Sequence, residues 1–270
     1  MITSTGNARI RRIVQLKRKA KTRREEKCFV AEGLRLWEEI PEPLVRELYL
    51  SESFAREHSG RMGGRPCEIV SDEVFRYMSD TKTPQGILSV VSMLPDRSSE
   101  IFVPGGLWLM LENIQDPGNL GTMFRTAEGA GATGIIMDQT TADVYAPKTV
   151  RSTMGSLFRV PFLVTGDLAD AAGRIRDKGG KIYAASLAGS KVYDAPDYVP
   201  GTAFLVGNEG SGLTEAAVAL ADANIRIPMG GRLESLNAAV ASAILMYEAG
   251  RQRRKESCFS SGQKKSQPTE

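Results

Sequence analysis

Leu107-Trp108-Leu109-Met110-Leu111 runs directly into Glu112-Asn113-Ile114-Gln115-Asp116-Pro117-Gly118-Asn119, and this junction decides the fold. Five consecutive apolar residues predict a strand buried on both faces, the signature of a parallel sheet covered by helices. The polar, glycine-bearing stretch behind it is a loop at the carboxyl end of that strand, where open parallel sheets hold their ligands. A helix is expected over Gly118 to Gly131, then a strand over Gly134 to Met137. Further strands are expected at Lys181 to Ser186, Ala203 to Val206 and Asn224 to Ile227, with a final helix over Asn237 to Arg254. Such alternation predicts an α/β domain with a mainly parallel sheet.

Two more loops follow predicted strands and resemble the first in composition. They are Gly207-Asn-Glu-Gly-Ser-Gly212 and Ile227-Pro-Met-Gly-Gly-Arg-Leu-Glu-Ser-Leu-Asn237. Glycine lets backbone approach a ligand closely, and the polar side chains supply hydrogen bonds. Gly129-Ala-Gly-Ala-Thr-Gly134 spells G-x-G-x-x-G, but it leaves a helix and enters a strand, the reverse of the dinucleotide-binding order. No P-loop is present, so a nucleotide-dependent enzyme of Rossmann type has no support.

Residues 1–96 read as a small α/β unit, and residues 97–106, rich in Pro, Gly and Ser, as a linker. The larger α/β domain is expected over residues 107–255, and a polar disordered tail over residues 256–270. Among 270 residues, 35 Lys and Arg face 32 acids, a balance too mild to indicate a nucleic-acid partner. Their placement says more. Arg9, Arg11, Arg12, Lys17 and Arg18 open a basic stretch that reaches Lys27 and repels itself unless an anion neutralises it. A solvated helix face explains the same charges. Three scattered cysteines offer neither a disulfide framework nor a zinc motif, so no metal is expected. The charged N-terminus and the lack of about 18 consecutive apolar residues lead to the expectation of a cytoplasmic protein without membrane contact.

Taken in order, the three loops resemble the SpoU or TrmH-type branch of the SPOUT RNA methyltransferases. The motifs are D-P-G-N-x-G-x-x-x-R-T-A from Asp116, L-V-G-N-E-G-x-G-L from Leu205 and I-P-M-x-G-x-x-x-S-L-N-A-A-V-A from Ile227. Phe29 to Gly33 (F-V-A-E-G) and Thr83 to Ile87 (T-P-Q-G-I) look like the ribosomal-protein-like substrate-binding domain of many rRNA members. The resemblance implies a knotted (trefoil) catalytic domain, a homodimer, and S-adenosylmethionine as methyl donor. The implied reaction is methylation of a ribose 2′-hydroxyl in RNA, with ribosomal RNA favoured over transfer RNA. A non-catalytic RNA-binding or ribosome-assembly protein of the same fold is the alternative.

The resemblance also implies a site. Gly207, Ile227 and Leu236 would line the adenosine pocket, although spacing alone favours ordinary core packing for the last two. Asn119, Arg125, Glu209, Ser235 and Asn237 would form the catalytic centre, with Glu209 holding the Arg125 guanidinium. The family's arginine is assigned to activating the hydroxyl. A guanidinium pKa above about 12 makes phosphate binding and alkoxide stabilisation the more conservative role. Ser235 either binds ribose or caps the final helix. The spacing of Asn119 and Arg125 does not fit one helix face, which leads to the expectation that Asn119 belongs to the loop.

Overall fold

The computed structural model describes residues 1–58, 65–186 and 191–263, with side chains through residue 256. The first elements are α1 (Ala8–Arg18), α2 (Ala20–Glu26), β1 (Cys28–Glu32), α3 (Leu34–Glu39), β2 (Val45–Ser51), α4 (Glu52–Glu57), β3 (Glu68–Val70), α5 (Asp72–Met78) and β4 (Ile87–Ser92). Next come α6 (Ser98–Ile101), β5 (Leu107–Leu111), α7 (Pro117–Ala130), β6 (Gly134–Asp138), α8 (Pro147–Thr153), α9 (Ser156–Arg159), β7 (Phe162–Thr165) and α10 (Leu168–Asp177). The chain continues through β8 (Lys181–Ala185), β9 (Lys191–Val192), β10 (Thr202–Val206), α11 (Glu215–Val218), β11 (Ala223–Arg226) and α12 (Ala238–Gln263).

Two compact units result. The first contains residues 1–95 together with residues 143–158. Its mixed sheet has the order β1-β4-β2-β3, antiparallel except for the β2–β3 pair. Ile10, Ile13 and Leu16 of α1 pack on Val30, Tyr49 and Val90 of that sheet. The basic stretch forms two helices and not one continuous face, because the chain breaks at Lys19, which is extended at φ −122° and ψ 113°. Arg23 accounts for the break: it folds back, buried, and donates to the carbonyls of Leu16 and Lys17 at 2.6 and 3.1 Å. Loose carbonyls at a helix end are satisfied by such a cation.

Residues 143–158, which the sequence placed in the catalytic domain, belong to this first unit for a visible reason. Phe29 of β1 lies 4.9 Å from the Tyr145 ring and 6.4 Å from the Phe158 ring. Arg23 also donates to Asp143 at 2.5 Å. All of β1 is buried, because α1 covers one face and this segment supplies apolar partners to Phe29 on the other.

The second unit carries a seven-stranded sheet of order β7-β6-β5-β10-β8-β11-β9, and every strand pair in it is parallel. The protein is therefore α/β, with a parallel-sheet domain preceded by a smaller α/β domain. β5 and β10 lie side by side at the sheet's centre and are fully buried. The stretch expected as a linker is not one. It holds α6, buries Ile101 and Phe102, and accepts the Trp108 indole N–H on Ile101 O at 2.6 Å. Gly131 caps α7 at φ 73° and Gly134 opens β6, so the G-x-G-x-x-G match is a helix-to-strand turn. The final helix continues past Arg254 to Gln263, into the expected tail, of which residues 264–270 lie outside the described residues.

Candidate active site

The loops behind β5, β10 and β11 meet at the carboxyl ends of the parallel strands. Asp116 and Pro117 start α7: the Asp116 side chain accepts from Asn119 N at 2.8 Å, and proline sits at the first helical position. Asn119 is consequently inside the first turn of α7 and not in the loop. From there its Nδ2 donates to Glu209 Oε1 at 2.6 Å, and its Oδ1 accepts from Asn237 Nδ2 at 3.0 Å. Asn237 in turn accepts from the N–H groups of Ala239 and Val240 at 2.9 and 3.3 Å. The cap of α12 is thus Asn237, not Ser235, and one residue ties a helix start to the site.

The loop after β10 is folded by its own side chains. Asn208 Oδ1 accepts from Gly210 N at 2.8 Å and Ser211 N at 3.1 Å, while Nδ2 donates to Asn113 O at 2.9 Å. Gly207 has no room for a side chain: a Cβ there would lie 2.5 Å from Gly212 O and 2.6 Å from Leu213 N. Glu112 accepts from Thr214 N and Oγ1 at 2.8 and 2.7 Å, closing the far side. Asp138 accepts from Asn113 N at 3.0 Å and Thr141 N at 2.9 Å. Burial pushes the Asp138 carboxyl up, but hydrogen bonds from Thr140, Asn113 and Thr141 outweigh it and hold the group below the usual carboxylate range.

The loops after β10 and β11 line a cavity of about 390 Å³. Gly207, Ile227 and Leu236 line it, with Leu213, Met229 and Leu245 adding apolar wall and Glu209 and Ser235 adding polar edge. Arg125 is elsewhere. Six residues beyond Asn119 it has turned about 240° around α7, and its side chain is exposed with no ion pair among the described residues. The expected Arg125–Glu209 pair is therefore replaced by Asn119–Glu209.

Residues 106–247 match the family model described as the SpoU rRNA methylase family, and residues 7–89 match that of the MRM3-like substrate-binding domain. The chain belongs to the SpoU rRNA methylase family. A SpoU relative from Bacillus subtilis, 23S rRNA (guanosine(2553)-2′-O)-methyltransferase RlmP, is 35% identical across 91% of this chain and 97% of its own. The Streptomyces viridochromogenes 23S rRNA (uridine(2479)-2′-O)-methyltransferase is 34% identical across 74% of this chain and 72% of its own. Among solved structures, the AdoMet-bound rRNA methyltransferase of Sinorhizobium meliloti superposes with a TM-score of 0.80 at 32% identity. That match covers 93% of this chain and 97% of that one.

In this SpoU methylase the basic residues picked from sequence part company. Arg9 is paired with Glu68 at 2.8 Å, and Arg12 with Glu26 and Glu47, both at 2.6 Å. Lys17 donates to Met78 O at 2.5 Å. Arg11 and Arg18 are exposed and unpaired among the described residues. Among the described residues no group of three His, Cys, Asp or Glu could hold a metal ion, and no helix is long and apolar enough to cross a membrane. Sequence reasoning missed Glu112, Asn208 and Asp138. Asp116 had a signal, since Asp before Pro at a strand-to-helix junction is a capping pattern. Asn208 had one too, as an Asn that turns its own glycine-rich loop, whereas Glu112 and Asp138 hold distant segments and had none.

Proposed function

We propose that this chain transfers a methyl group from S-adenosylmethionine to a ribose 2′-hydroxyl of RNA, with 23S ribosomal RNA as substrate. The observation that carries the reading is one cavity lined by the loops after β10 and β11, with Asn119 of the first motif hydrogen-bonded both to Glu209 at its edge and to Asn237. Its volume falls within the roughly 300–1,000 Å³ of small-molecule sites. The cavity suits the donor: Gly207 leaves backbone bare for a close approach, and Ile227 and Leu236 offer apolar walls to a flat base.

When bound, S-adenosylmethionine supplies an electrophilic methyl group. The protein's task is then mainly alignment. Asn119 and Asn237 hold Glu209 and the start of α12 in fixed positions, and exposed Ser235 at the cavity edge can hydrogen-bond ribose. Arg125, exposed on α7 outside the cavity, is assigned to the neighbouring phosphate of the RNA. The same reading makes the protein a cytoplasmic homodimer with a knotted catalytic domain. Val240 and Tyr247 support the dimer: they lie two turns apart on α12, and 48% and 49% of their surfaces remain exposed.

Methyl-labelled S-adenosylmethionine, offered with unmodified ribosomal or transfer RNA, tests the reading. Label is expected in 2′-O-methylated ribosomal RNA with the wild type, and not with Arg125→Ala, which still binds the donor. Residual activity within about tenfold, or 1.4 kcal/mol of barrier, would remove Arg125 from its role. Absence of donor binding by the wild type would leave a non-catalytic RNA-binding protein.

A further inference from the structure

Arg18, Lys82 and Arg151 come from three distant stretches of sequence, and the first unit gathers them around one loop. Lys17 Nζ reaches Met78 O at 2.5 Å, which fixes the end of α1 against the end of α5, where residues 79–86 begin. Within that loop, Asp80 lies 3.8 Å from Arg151 of α8. Burial lowers the Lys17 pKa, and Asp80, Glu32, Arg18 and Arg151 all act on its ammonium, so these charges are close neighbours.

The loop is braced at both ends. Glu32, only 9% exposed, accepts from Asp80 N at 3.0 Å and Thr81 Oγ1 at 2.9 Å, and also from Ser79 Oγ. At the other end Gln85 Oε1 accepts from Leu34 N at 2.8 Å and closes over Gly33. Lys82 is held between these anchors, exposed. Neither Lys82 nor Arg18 has an ion pair or hydrogen bond among the described residues. Asp80 stands 3.8 Å from Arg151, beyond hydrogen-bonding distance. Tyr77, beside Met78, keeps 48% of its surface in solvent. Glu32 accepts three hydrogen bonds from the loop, and Asp80 lies among Lys17, Arg18 and Arg151.

We propose that Arg18, Lys82 and Arg151 grip the phosphodiester backbone of the substrate RNA while Tyr77 stacks on an unpaired base. This rests on the RNA-methylation reading and assigns the grip to residues other than Arg9 and Arg12, whose charges are already neutralised within the unit. Cations supply salt-sensitive attraction to phosphates, and an exposed ring supplies stacking that salt barely affects. An acidic protein partner would use the cations without needing the ring.

The test measures binding of the full chain to an in-vitro 23S rRNA transcript across a salt series. The variants are Arg18→Ala/Lys82→Ala/Arg151→Ala, Arg18→Ala/Lys82→Ala and Tyr77→Ala. The triple variant is expected to flatten the slope of log affinity against log salt by roughly 2–3, and the double by roughly 1–2. The double leaves the Asp80–Arg151 contact intact, so its effect stands even if the triple folds poorly. Tyr77→Ala should weaken binding about tenfold without changing the slope. S-adenosylmethionine binding should be the same in all. Wild-type slope and affinity in both cation variants would overturn the assignment of the cations. An unchanged affinity in Tyr77→Ala would overturn the stacking and favour an acidic protein. A wild type that binds the donor but no RNA would overturn the RNA-methylation reading itself, together with this surface.

Discussion

Asn119 Nδ2 donates to Glu209 Oε1 at 2.6 Å across ninety residues of sequence, joining the start of α7 to the loop after β10. Since Asn119 also accepts from Asn237, its amide is the hinge pin of three loops. Asn119→Asp would set a second carboxylate against Glu209, where like charges at hydrogen-bond distance repel. Donor affinity is expected to fall about tenfold, equivalent to roughly 1.4 kcal/mol. Adding Glu209→Gln restores a donor–acceptor pair with the roles exchanged. A double-mutant cycle read by calorimetry should show the recovery; independent effects would mean that the pair does not hold the loop.

Gly207 offers a sharper steric case. The Cβ of Gly207→Ala would strike the backbone of Gly212 and Leu213 rather than a flexible side chain. Overpacking of this kind costs about 1–3 kcal/mol. The cost should appear as loss of donor binding together with a lower melting temperature. Unchanged donor affinity would separate this glycine from the cavity's function.

Asn237 and Ser235 should respond differently to alanine. Asn237 caps α12, so Asn237→Ala is expected to cost about 0.5–2 kcal/mol of stability in thermal melts. Ser235 is exposed at the cavity edge and caps nothing. Ser235→Ala should melt like the wild type and lower the transfer rate. Equal stability losses in the two variants would reverse this division.

Asp138 makes the first loop acid-sensitive. Its carboxyl is held below the ordinary aspartate value of about 3.9 in the folded protein. The stabilisation is therefore complete above that value and is lost as pH falls through the folded-state pKa. Asp138→Asn should lower stability near neutral pH and flatten the acid limb of the stability curve below about pH 4. A variant with the same acid limb as the wild type would mean that other carboxylates set it.

The parallel sheet was legible because β5 is a continuous apolar run and its neighbours are punctuated by glycine-rich loops. The cavity was legible because Gly207, Ile227 and Leu236 sit in motif positions, and the structure places all three in one wall. The polar partners were not. Whether Glu209 meets Arg125 or Asn119 depends on how α7 is rotated, and that follows from Asp116 starting the helix three residues before Asn119. Nor could charge density along α1 show that Arg12 is neutralised by Glu47, thirty-five residues away. Pairing between distant segments decides which charges stay free, and a local reading of the sequence does not contain it.

Residues 143–158 bear on how such a protein can be assembled from parts. Phe29 meets Tyr145 and Phe158, and Arg23 meets Asp143, so the smaller unit draws its last layer from far downstream. A single cut near Pro95 would give a fragment with an uncovered aromatic face and an Arg23 stripped of its carboxylate partner. Exchanging that unit between relatives would take three crossovers in the gene, one after Pro95 and one on each side of the borrowed segment. An exchange of the substrate-binding unit would have to carry with it a piece of the methylase sequence, residues 143–158.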